Sequence, residues 1–302
     1  MRPPQQGSPE APRAGLVTLV GRANVGKSSL LNTMMGRKVS IVSDKPQTTR
    51  GALRAVLSTG TAQIVFVDTP GLHKPRTLLG QRLNRTALNA VEGVDTVVLV
   101  VDGKSGVGGG DRFVADRLAP ADRHVCVVNK IDGMPRAAIL AQLQAVGEWG
   151  FDEYFAVSAR TGAGVGELVA ALARRLPEGP PLYPGEPADA PKGGMAAMGG
   201  EVDERQWLSE LVREQLLAVT REELPYSIAC QVTDWDWPYV RCEILVERDS
   251  QKGMVIGHGG AVLKKVGTAV RAQLPQGAYV ELSVRVAQDW QGKPEILDRL
   301  GL

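Results

Sequence analysis

The sequence predicts a doubly wound α/β domain, with a mostly parallel sheet and one antiparallel edge strand, followed by a smaller α+β domain. Three observations predict this organisation. Over residues 15–176, short apolar runs alternate with helical stretches, which is typical of a parallel sheet covered on both faces. Residues 177–202 are rich in proline and glycine and lack hydrophobic periodicity, so we predict an extended, flexible linker. Over residues 203–302 the order of elements changes to α-β-β-α-β.

The elements of the first domain follow from its apolar runs. The run TVVLVV at 96–101 suits a strand that is buried on both faces. The segments 52–57 and 62–67 are joined by a short turn, so we expect them to form a hairpin at the edge of the sheet. The predicted strands are 15–20, 52–57, 62–67, 95–101, 124–129 and 153–157. The predicted helices lie near 28–36, 78–91, 111–119, 135–147 and 165–176.

The second domain is predicted to begin with an amphipathic helix over 203–222, because Trp207 and Leu211 recur with other apolar residues at helical spacing. Tryptophans 235 and 237 lie in the predicted turn between its first two strands; they could stack on bases, but we favour a hydrophobic lid on the sheet. The remaining predicted elements are strands at 227–233 and 239–247, a turn at 234–238, a short helix near 251–255, a helix over 261–273 and a strand at 279–286.

Composition excludes several classes of protein. The formal net charge of the 302 residues is only +2, so no overall field favours a nucleic acid or a membrane. The three cysteines have no metal-type spacing and predict buried thiols. No apolar run approaches the roughly 20 residues that a membrane helix needs. Residues 1–14 contain no apolar core of a secretion signal and are predicted to be a disordered tail, so we expect a cytoplasmic protein.

The segment GRANVGKS at 21–28 separates the first predicted strand from the first predicted helix. The spacing G-x-x-x-x-G-K-S is typical of a loop whose backbone N–H groups bind phosphates. Lys27 is then placed to contact the β- and γ-phosphates, and the Ser28 hydroxyl to bind Mg²⁺. The alternative interpretation is an ordinary glycine-rich turn, which need not lie between a strand and a helix. The predicted phosphate-binding residues are Gly21, Arg22, Ala23, Asn24, Val25, Gly26, Lys27, Ser28 and Ser29.

Two further segments suit the same site. The tetrapeptide DTPG at 68–71 ends the third predicted strand, where the Asp68 carboxylate can hold Mg²⁺, generally through water, and the Gly71 N–H can sense the γ-phosphate. A strand-ending turn is the alternative. The loop over residues 37–51 contains two threonines, one of which can bring its hydroxyl to Mg²⁺; we predict Thr49, with Thr48 as the alternative. A polar surface loop also remains open. The predicted nucleotide-binding residues here are Asp68, Thr69, Pro70 and Gly71, and the predicted metal-binding residues are Ser28, Thr49 and Asp68.

The tetrapeptide NKID at 129–132 follows the fifth predicted strand. The Asp132 carboxylate can accept hydrogen bonds from guanine N1–H and N2–H₂, whereas adenine offers no such pair of donors. The segment therefore favours guanine, and the Lys130 stem can lie along the base. After the sixth strand, the Ala159 N–H can donate to guanine O6. The predicted base-binding residues are Asn129, Lys130, Asp132, Ser158, Ala159 and Arg160.

The segment GHGG at 257–260 opens a helix in the second domain. A G-x-x-G loop can approach a nucleic-acid backbone closely and clamp about four nucleotides. Residues 250–280 carry four basic and no acidic side chains, which favours phosphate contact, although a solvated helix face would look the same. The predicted RNA-binding residues are Lys252, Ile256, Gly257, His258, Gly259, Gly260, Lys264 and Lys265.

Taken together, these segments resemble the Era family of bacterial GTPases over residues 15–302. The resemblance implies a P-loop GTPase domain and a type II KH domain, GTP or GDP with Mg²⁺, and hydrolysis of GTP. It also implies binding to the 3′ end of small-subunit ribosomal RNA, a role in maturation of the 30S subunit, and peripheral contact with the inner face of the cell membrane. We expect a monomer. The matching segments are GRANVGKS, PQTTRG (46–51), DTPGL (68–72), NKID, VSARTGAGV (157–165), ELPYS (223–227) and VIGHGGAVLKKVG (255–267).

The chain departs from Ras-type GTPases at Leu72, where those proteins use a glutamine to orient the attacking water. An apolar side chain cannot do this, and Era-like proteins share that substitution. Asn24 stands where related GTPases use a loop asparagine to hold a monovalent cation, so we hypothesise that K⁺ binds there beside the phosphates. His73 as a catalytic base is the less favoured alternative to an exposed loop histidine. The predicted catalytic residues are Lys27, Thr49, Gly71 and Asn24.

In the G-x-x-G loop, His258 stands where the family often has lysine, which removes one charge near neutral pH. An RNA-binding assembly factor that binds GTP with negligible hydrolysis stays open as an alternative function because of Leu72. A relative with two GTPase domains, or one that modifies tRNA, is disfavoured because the chain has one phosphate-loop motif and no C-terminal reactive cysteine. We expect GTP and GDP to reshape residues 37–51 and 69–79, and those loops to bias docking of the RNA-binding domain.

Overall fold

A computed structural model of the chain describes residues 11–45, 48–50, 53–72, 75, 77–118, 124–183, 204–220 and 224–302. Within these ranges a six-stranded sheet with helices precedes a three-stranded sheet with helices. The predicted fold class is confirmed. No helix in the described part of the chain is both long and apolar enough to cross a membrane.

The first sheet has the strand order β2-β3-β1-β4-β5-β6. All neighbouring strands are parallel except β2 and β3, which form the predicted antiparallel hairpin. The strands are β1 (Arg13–Val20), β2 (Leu53–Ser58), β3 (Ala62–Asp68), β4 (Thr96–Asp102), β5 (His124–Asn129) and β6 (Glu153–Ala156). The helices are α1 (Lys27–Met35), α2 (Leu78–Asn89), α3 (Gly109–Leu118), α4 (Arg136–Gly147) and α5 (Val165–Arg175).

Both faces of this sheet are covered by helices. Val98 and Leu99 are neighbours in β4 and point to opposite faces, yet both are fully buried. Val98 packs in the cluster with α1 and α5, whereas Leu99 packs in the cluster with α3. Burial of each such side chain contributes about 1.5–3 kcal/mol. The two clusters fix the sheet, so the carboxyl ends of its parallel strands present the loops that follow them at one edge.

The start of β1 differs from the prediction. The strand begins at Arg13, two residues before the predicted 15–20, so the predicted tail over 1–14 is too long at its end. The reason lies in the segment after α5: Ala14 N donates to the carbonyl of Pro177 at 3.1 Å, and Tyr183 N donates to Gln63 Oε1 at 2.9 Å. The first residues of the predicted linker therefore lie along the sheet. Residues 184–203 lie outside the described part, and the other domain boundaries stay predictions.

The second sheet has β8 at its centre, antiparallel to β7 and parallel to β9. One face of β8, with Val240, Cys242 and Ile244, is buried against the helices of this domain. Two short helices, α7 and α10, were not predicted. The elements are α6 (Glu204–Val219), α7 (Leu224–Ser227), β7 (Ala229–Asp236), β8 (Tyr239–Val246), α8 (Asp249–Ile256), α9 (Ala261–Arg271), β9 (Tyr279–Val286) and α10 (Pro294–Arg299).

The predicted turn over 234–238 is wrong at its start, because β7 continues to Asp236. A bulge after Val232 shifts the register, so that Trp235 lies opposite Val240. Trp235 consequently packs against the core, as the lid interpretation expects, and the Trp237 ring stacks on it with centroids 5.9 Å apart. The cysteines form no disulfide, and burial raises the pKa of the Cys126 thiol to about 12.

Candidate functional site

The phosphate loop at 21–28 leads from β1 into α1. Its shape requires glycine at two positions: Gly21 has φ +148° and Gly26 has φ +95°. A Cβ on Gly21 would lie 2.3 Å from the carbonyl oxygen of Val100, and one on Gly26 would lie 2.4 Å from Asn129 Nδ2. No side chain larger than hydrogen fits there, so the loop stays packed against β4 and β5 with its N–H groups at the helix start.

Lys27 is the first residue of α1 and is only 7% exposed. Its ammonium donates to the carbonyl oxygens of Gly21 and Arg22 at 3.1 and 3.0 Å. Burial lowers the pKa of Lys27 to about 8, an effect that the Asp68 carboxylate opposes. An anionic phosphate beside this buried ammonium would favour its charged form.

Three of the predicted metal-binding side chains converge beside Lys27. The Ser28 and Thr49 hydroxyl oxygens are 3.0 Å apart, and Ser28 Oγ donates to Asp68 Oδ2 at 3.3 Å. Asp68 is fully buried, and burial raises the pKa of its carboxyl group. Ser40, which the sequence analysis did not single out, donates to the same Asp68 oxygen at 2.6 Å. These hard oxygen donors suit Mg²⁺.

Thr48, the alternative metal ligand, is turned away from this cluster. Its hydroxyl donates to the carbonyl oxygen of Lys45 at 2.6 Å, within its own loop. The geometry favours Thr49.

The segment 68–72 lies against the phosphate loop. A Cβ on Gly71 would be 3.0 Å from the backbone N of Ala23 and 3.3 Å from Lys27 Nζ, so this close approach favours glycine. Leu72 N donates to the carbonyl of Gly21 at 3.3 Å. The Leu72 side chain is buried in the core cluster with α3. Residues 73 and 74 lie outside the described part, so the prediction for His73 stays open.

The predicted base-binding segments meet at the ends of β5 and β6. Asn129 Nδ2 donates to the carbonyl of Val25 at 3.0 Å, and its Oδ1 accepts from Ala159 N at 3.0 Å, so one side chain joins three loops. Lys130, at φ +64°, donates to Asp102 Oδ2 at 2.7 Å. The sequence analysis missed Asp102, although it ends β4 at the same edge of the sheet.

Asp132 is held at this edge by two partners. The Ser158 hydroxyl donates to its Oδ1 at 2.9 Å, and Arg160 forms an ion pair with its Oδ2 at 2.7 Å. The Ser158 hydrogen bond holds the pKa of Asp132 below its usual range, with the Arg160 charge acting in the same direction. The carboxylate is therefore ionised at neutral pH, the form that accepts from guanine.

Arg22 and Asn24 extend outward from the phosphate loop. Arg22 Nη1 pairs with the buried Asp111 of α3 at 3.1 Å. Asn24 Nδ2 donates to the backbone carbonyl of Asp44 at 2.7 Å. The described part of the 37–51 loop thus contacts the phosphate loop, and a cavity of about 50 Å³ lies between them.

The same 37–51 loop contacts the second domain through α6. Glu214, 8% exposed, accepts from the backbone N of Val42 at 2.9 Å and pairs with Lys38. Arg213, 1% exposed, donates to the carbonyl oxygen of Thr48. These residues belong to an ordinary-looking amphipathic helix, and nothing in the sequence pattern distinguishes them from solvated charges.

Arg50 makes a third connection and is 3% exposed. Its Nη1 donates to the carbonyl oxygen of Ile228 at 2.7 Å, and its guanidinium lies over the Trp290 ring at 5.5 Å. Burial and the nearby Arg213 lower the pKa of Arg50 to about 9, so the group is still charged at neutral pH. Trp290 in turn packs with Leu79 and Leu83 of α2 in a cluster that joins the two domains.

The G-x-x-G loop at 257–260 links α8 to α9. Gly257 has φ +72°, and a Cβ there would lie 2.6 Å from Val262 Cγ2, so the tight connection requires glycine. Gly259 and Gly260 also have positive φ and face open space. His258, Lys264 and Lys265 are exposed beside the loop, and Lys252 and Ile256 are half-buried. The structure brings all the predicted RNA-binding residues to α8, the loop and α9.

Two family models match the chain: one described as a 50S ribosome-binding GTPase over residues 16–130, and one described as a KH domain over residues 223–291. GTPase Era of Mycobacterium avium (strain 104) is 43% identical over 96% of this chain and 98% of its own length. GTPase Era of Mycobacterium tuberculosis (strain ATCC 25177 / H37Ra) is also 43% identical, over 95% and 98%.

Two solved structures match 96% of this chain and 99% of their own, each with a TM-score of 0.88. One is Era in complex with MgGDPNP and nucleotides 1506–1542 of 16S ribosomal RNA, at 33% identity. The other is an Era variant from Aquifex aeolicus bound to GDP·AlF₄⁻, at 32% identity. The family recognised from the motifs is confirmed by these matches. Because identity exceeds 40% over nearly the whole of both chains, this protein belongs to the Era family of GTPases.

Proposed function

We propose that this GTPase is a nucleotide-dependent switch that binds the 3′ end of small-subunit ribosomal RNA through its KH domain and acts in maturation of the 30S subunit. The Era structure with nucleotides 1506–1542 of 16S ribosomal RNA supports the RNA assignment. We place the protein in the cytoplasm as a monomer, with any membrane contact peripheral. The observation that carries the switch is the 37–51 loop, which contacts both the metal-binding cluster and the second domain.

Nucleotide binding follows from the site. Backbone N–H groups of the phosphate loop and the Lys27 ammonium would hold the phosphates, and Asp132 would select guanine. The Ala159 N–H donates to Asn129 Oδ1 in this structure, so a bond to guanine O6 would have to share or replace that hydrogen bond. Ser28, Thr49 and the buried Asp68 carboxylate fit Mg²⁺, because a divalent cation offsets the cost of burying that charge. When bound, Mg²⁺ would supply positive charge that offsets the negative charge of the phosphates.

Hydrolysis requires an in-line water that Leu72 cannot orient, because its side chain is apolar and buried in the core. Backbone groups of Gly71 and of the 37–51 loop are left to position the water. Asn24 Nδ2 donates to the Asp44 carbonyl oxygen at 2.7 Å, so this hydrogen bond does not use Asn24 Oδ1, the atom that can bind a cation. We propose that Asn24 Oδ1 holds K⁺ during hydrolysis, where its charge would oppose the negative charge that develops on the phosphates.

RNA binding is assigned to the G-x-x-G loop and the basic residues next to it. The loop backbone at Gly259 and Gly260 faces open space and can approach phosphates closely. Lys264 and Lys265 follow in the first turns of α9 and add positive charge. Histidine stands at 258, where the family often has lysine, so we expect contacts of the loop backbone to contribute more to RNA binding here than in relatives with that lysine.

Coupling between the two sites follows from the loop contacts. Loss of the γ-phosphate would release Thr49 and the 37–51 loop, as in other switch GTPases. Glu214, Arg213 and Arg50 bind that loop in the present arrangement, so its release would remove their contacts and change how the KH domain is docked. The position of the G-x-x-G loop relative to the nucleotide would then depend on whether GTP or GDP is bound.

The buried Leu72 side chain also fits a second function: an RNA-binding assembly factor in which GTP only stabilises the fold. Multiple-turnover hydrolysis on RNA-bound protein separates the two. The switch predicts sustained release of phosphate that is faster with RNA than without it. A single turnover or less, with RNA bound, would favour the second function.

A further inference from the structure

A cavity of about 320 Å³ lies between α6, β7, residues 298–302 and Arg50 at the end of the 37–51 loop. It shares no lining residue with the phosphate cleft or with the G-x-x-G loop. Its volume falls at the lower end of the range for small-molecule sites, about 300–1,000 Å³. The nucleotide and RNA sites do not use it.

Positive charge dominates the lining of this cavity. Its two side-chain carboxylates are already paired: Glu210 accepts from Arg213 Nε at 2.9 Å, and Asp298 accepts from Arg82 Nη1 at 2.5 Å. The Leu302 carbonyl oxygen likewise accepts from Arg82 Nη1, at 2.7 Å. The charged side chains that line it are Arg50, Arg205, Arg213, Arg299, Glu210 and Asp298.

Arg50 is the group that points most clearly to a ligand. It is 3% exposed, and its acceptors in the described part of the chain are the backbone carbonyl oxygens of Ile228 and Tyr226. Its Nε atom is buried with no acceptor among the described residues. Arg213, 1% exposed, lies in the same cavity wall. Arg213 pairs with Glu210, whereas Arg50 forms no ion pair among the described residues, and a buried guanidinium is costly unless a negative charge accompanies it.

We propose that this cavity binds the phosphate group of a small phosphorylated molecule, held by Arg50 and Arg213 with Arg299 at the rim. Guanidinium groups match phosphate oxygens in charge and in planar hydrogen-bonding geometry. The volume accommodates more than one phosphate, so a small organic phosphate or a diphosphate fits. The inference rests on the proposed function only in taking the 37–51 loop as the moving part.

Because of where the cavity lies, a bound ligand would restrain the 37–51 loop. Arg50 follows Thr49 in the chain, and Arg213 donates to the carbonyl of Thr48. A ligand that bridges the two guanidinium groups would hold the end of the 37–51 loop against the second domain. It would therefore favour the arrangement in which Thr49 lies beside Ser28, by binding that arrangement more tightly.

Inorganic phosphate and pyrophosphate are suitable probes for the full-length protein saturated with GDP and Mg²⁺, so that the phosphate loop is filled. Calorimetric titration with either probe should show saturable binding at one site, with a dissociation constant below about 1 mM. A titration with chloride at equal ionic strength is the control and should show no such binding. The indole N–H resonance of Trp290, assigned with Trp290→Phe, should shift because the ring lies under Arg50.

Substitution of arginines inside and outside the cavity tests whether the probe binds there. Arg50→Gln and Arg299→Gln should each weaken it about tenfold, whereas the exposed Arg174→Gln on α5 should not. Arg299 is exposed, so its replacement tests the site even if Arg50→Gln loosens the domains. Absence of saturable binding with GDP bound, or equal affinity in wild type and Arg299→Gln, would overturn the proposal. Normal binding with no RNA effect on hydrolysis would instead count against the proposed switch.

Discussion

Arg50 donates a hydrogen bond of 2.7 Å to the carbonyl oxygen of Ile228, and so joins the loop over the phosphates to the RNA-binding domain. The residue before it, Thr49, lies 3.0 Å from Ser28 in the metal-binding cluster. One peptide bond therefore separates a predicted nucleotide contact from a contact between domains. A displacement of Thr49 is transmitted to the second domain unless the backbone between them absorbs it.

Glu214→Ala should reduce the stimulation of GTP turnover by RNA while leaving GDP affinity unchanged. The substitution removes the acceptor for Val42 N and the partner of Lys38, and so detaches α6 from the 37–51 loop. Steady-state phosphate release with and without RNA measures the effect. Glu243→Ala is the matched control, because it breaks an ion pair with Arg285 inside the RNA-binding domain. Equal loss of stimulation in the two variants would argue against a specific contact.

Thr49→Ala and Thr48→Ala form a pair that assigns the metal-binding threonine. Thr49 lies beside Ser28, whereas the Thr48 hydroxyl is bonded to Lys45 O. We expect Thr49→Ala to lower kcat by at least about tenfold and to raise the Mg²⁺ concentration needed for half-maximal rate. Thr48→Ala should change neither by more than about twofold. The reverse pattern would assign Thr48 instead.

The nucleotide site could be predicted from sequence because each motif is local and ends a strand of a parallel sheet. Once β1, β3 and β5 are parallel, the phosphate loop, Asp68 and Asn129 must meet at one edge. Ser40 and Asp102 were missed because their partners are far away in sequence: Ser40 reaches Asp68 only through the fold. The sequence pattern alone does not place either residue beside its partner.

Asp132→Asn should lower affinity for GDP by about 100-fold, since two charge-assisted hydrogen bonds to guanine are lost, at a cost of about 3 kcal/mol. The same substitution should raise affinity for xanthosine diphosphate, whose base presents a carbonyl where guanine has an amino group. Calorimetric titration of wild type and variant with each nucleotide measures the two affinities. Ser158 also holds this carboxylate, so Ser158→Ala should weaken GDP binding without favouring xanthine. Unchanged selectivity in Asp132→Asn would contradict the assignment.

Turnover should be faster in K⁺ than in Na⁺ at equal ionic strength, and Asn24→Ala should remove the difference. The substitution removes Asn24 Oδ1, the proposed ligand of the cation, together with the hydrogen bond from Asn24 Nδ2 to the Asp44 carbonyl oxygen. Assays with and without RNA are needed, because RNA binding could order the same loop. Equal rates in the two buffers under both conditions would exclude the cation hypothesis.

His124 should make stability depend on pH. The side chain is 7% exposed, and burial lowers its pKa below the ordinary 6.5, although Asp152 opposes the shift. Below about pH 6.5 the unfolded chain therefore binds a proton that the folded protein does not, and the free energy of unfolding falls. Urea titrations from about pH 7 to pH 5 should show a shallower fall in His124→Phe than in wild type. Identical slopes would contradict this.

The connection between the domains is the part that sequence could not predict. Arg50 stands in a polar loop, and Arg213 and Glu214 stand on a helix whose pattern gives only its apolar face. Their burial results from packing of α6 and Trp290 against the first domain, in which Trp207 and Leu211 enter the core cluster of α1 and α5. Long-range packing of this kind leaves no local periodicity. Hydrophobic periodicity predicted the core of each domain, but it did not show which apolar and charged residues of the second domain contact the first.

RNA crosslinking tests the central claim, that the nucleotide controls the RNA-binding domain. The protein would be crosslinked to ribosomal RNA with a non-hydrolysable GTP analogue and with GDP, and the sites mapped on both molecules. If the nucleotide controls the RNA-binding domain, the yield of crosslinks at residues 257–260 should differ between the two nucleotides. In Glu214→Ala this difference in yield should be smaller than in wild type. Crosslinks at that loop that are absent, or equal with both nucleotides, would contradict it.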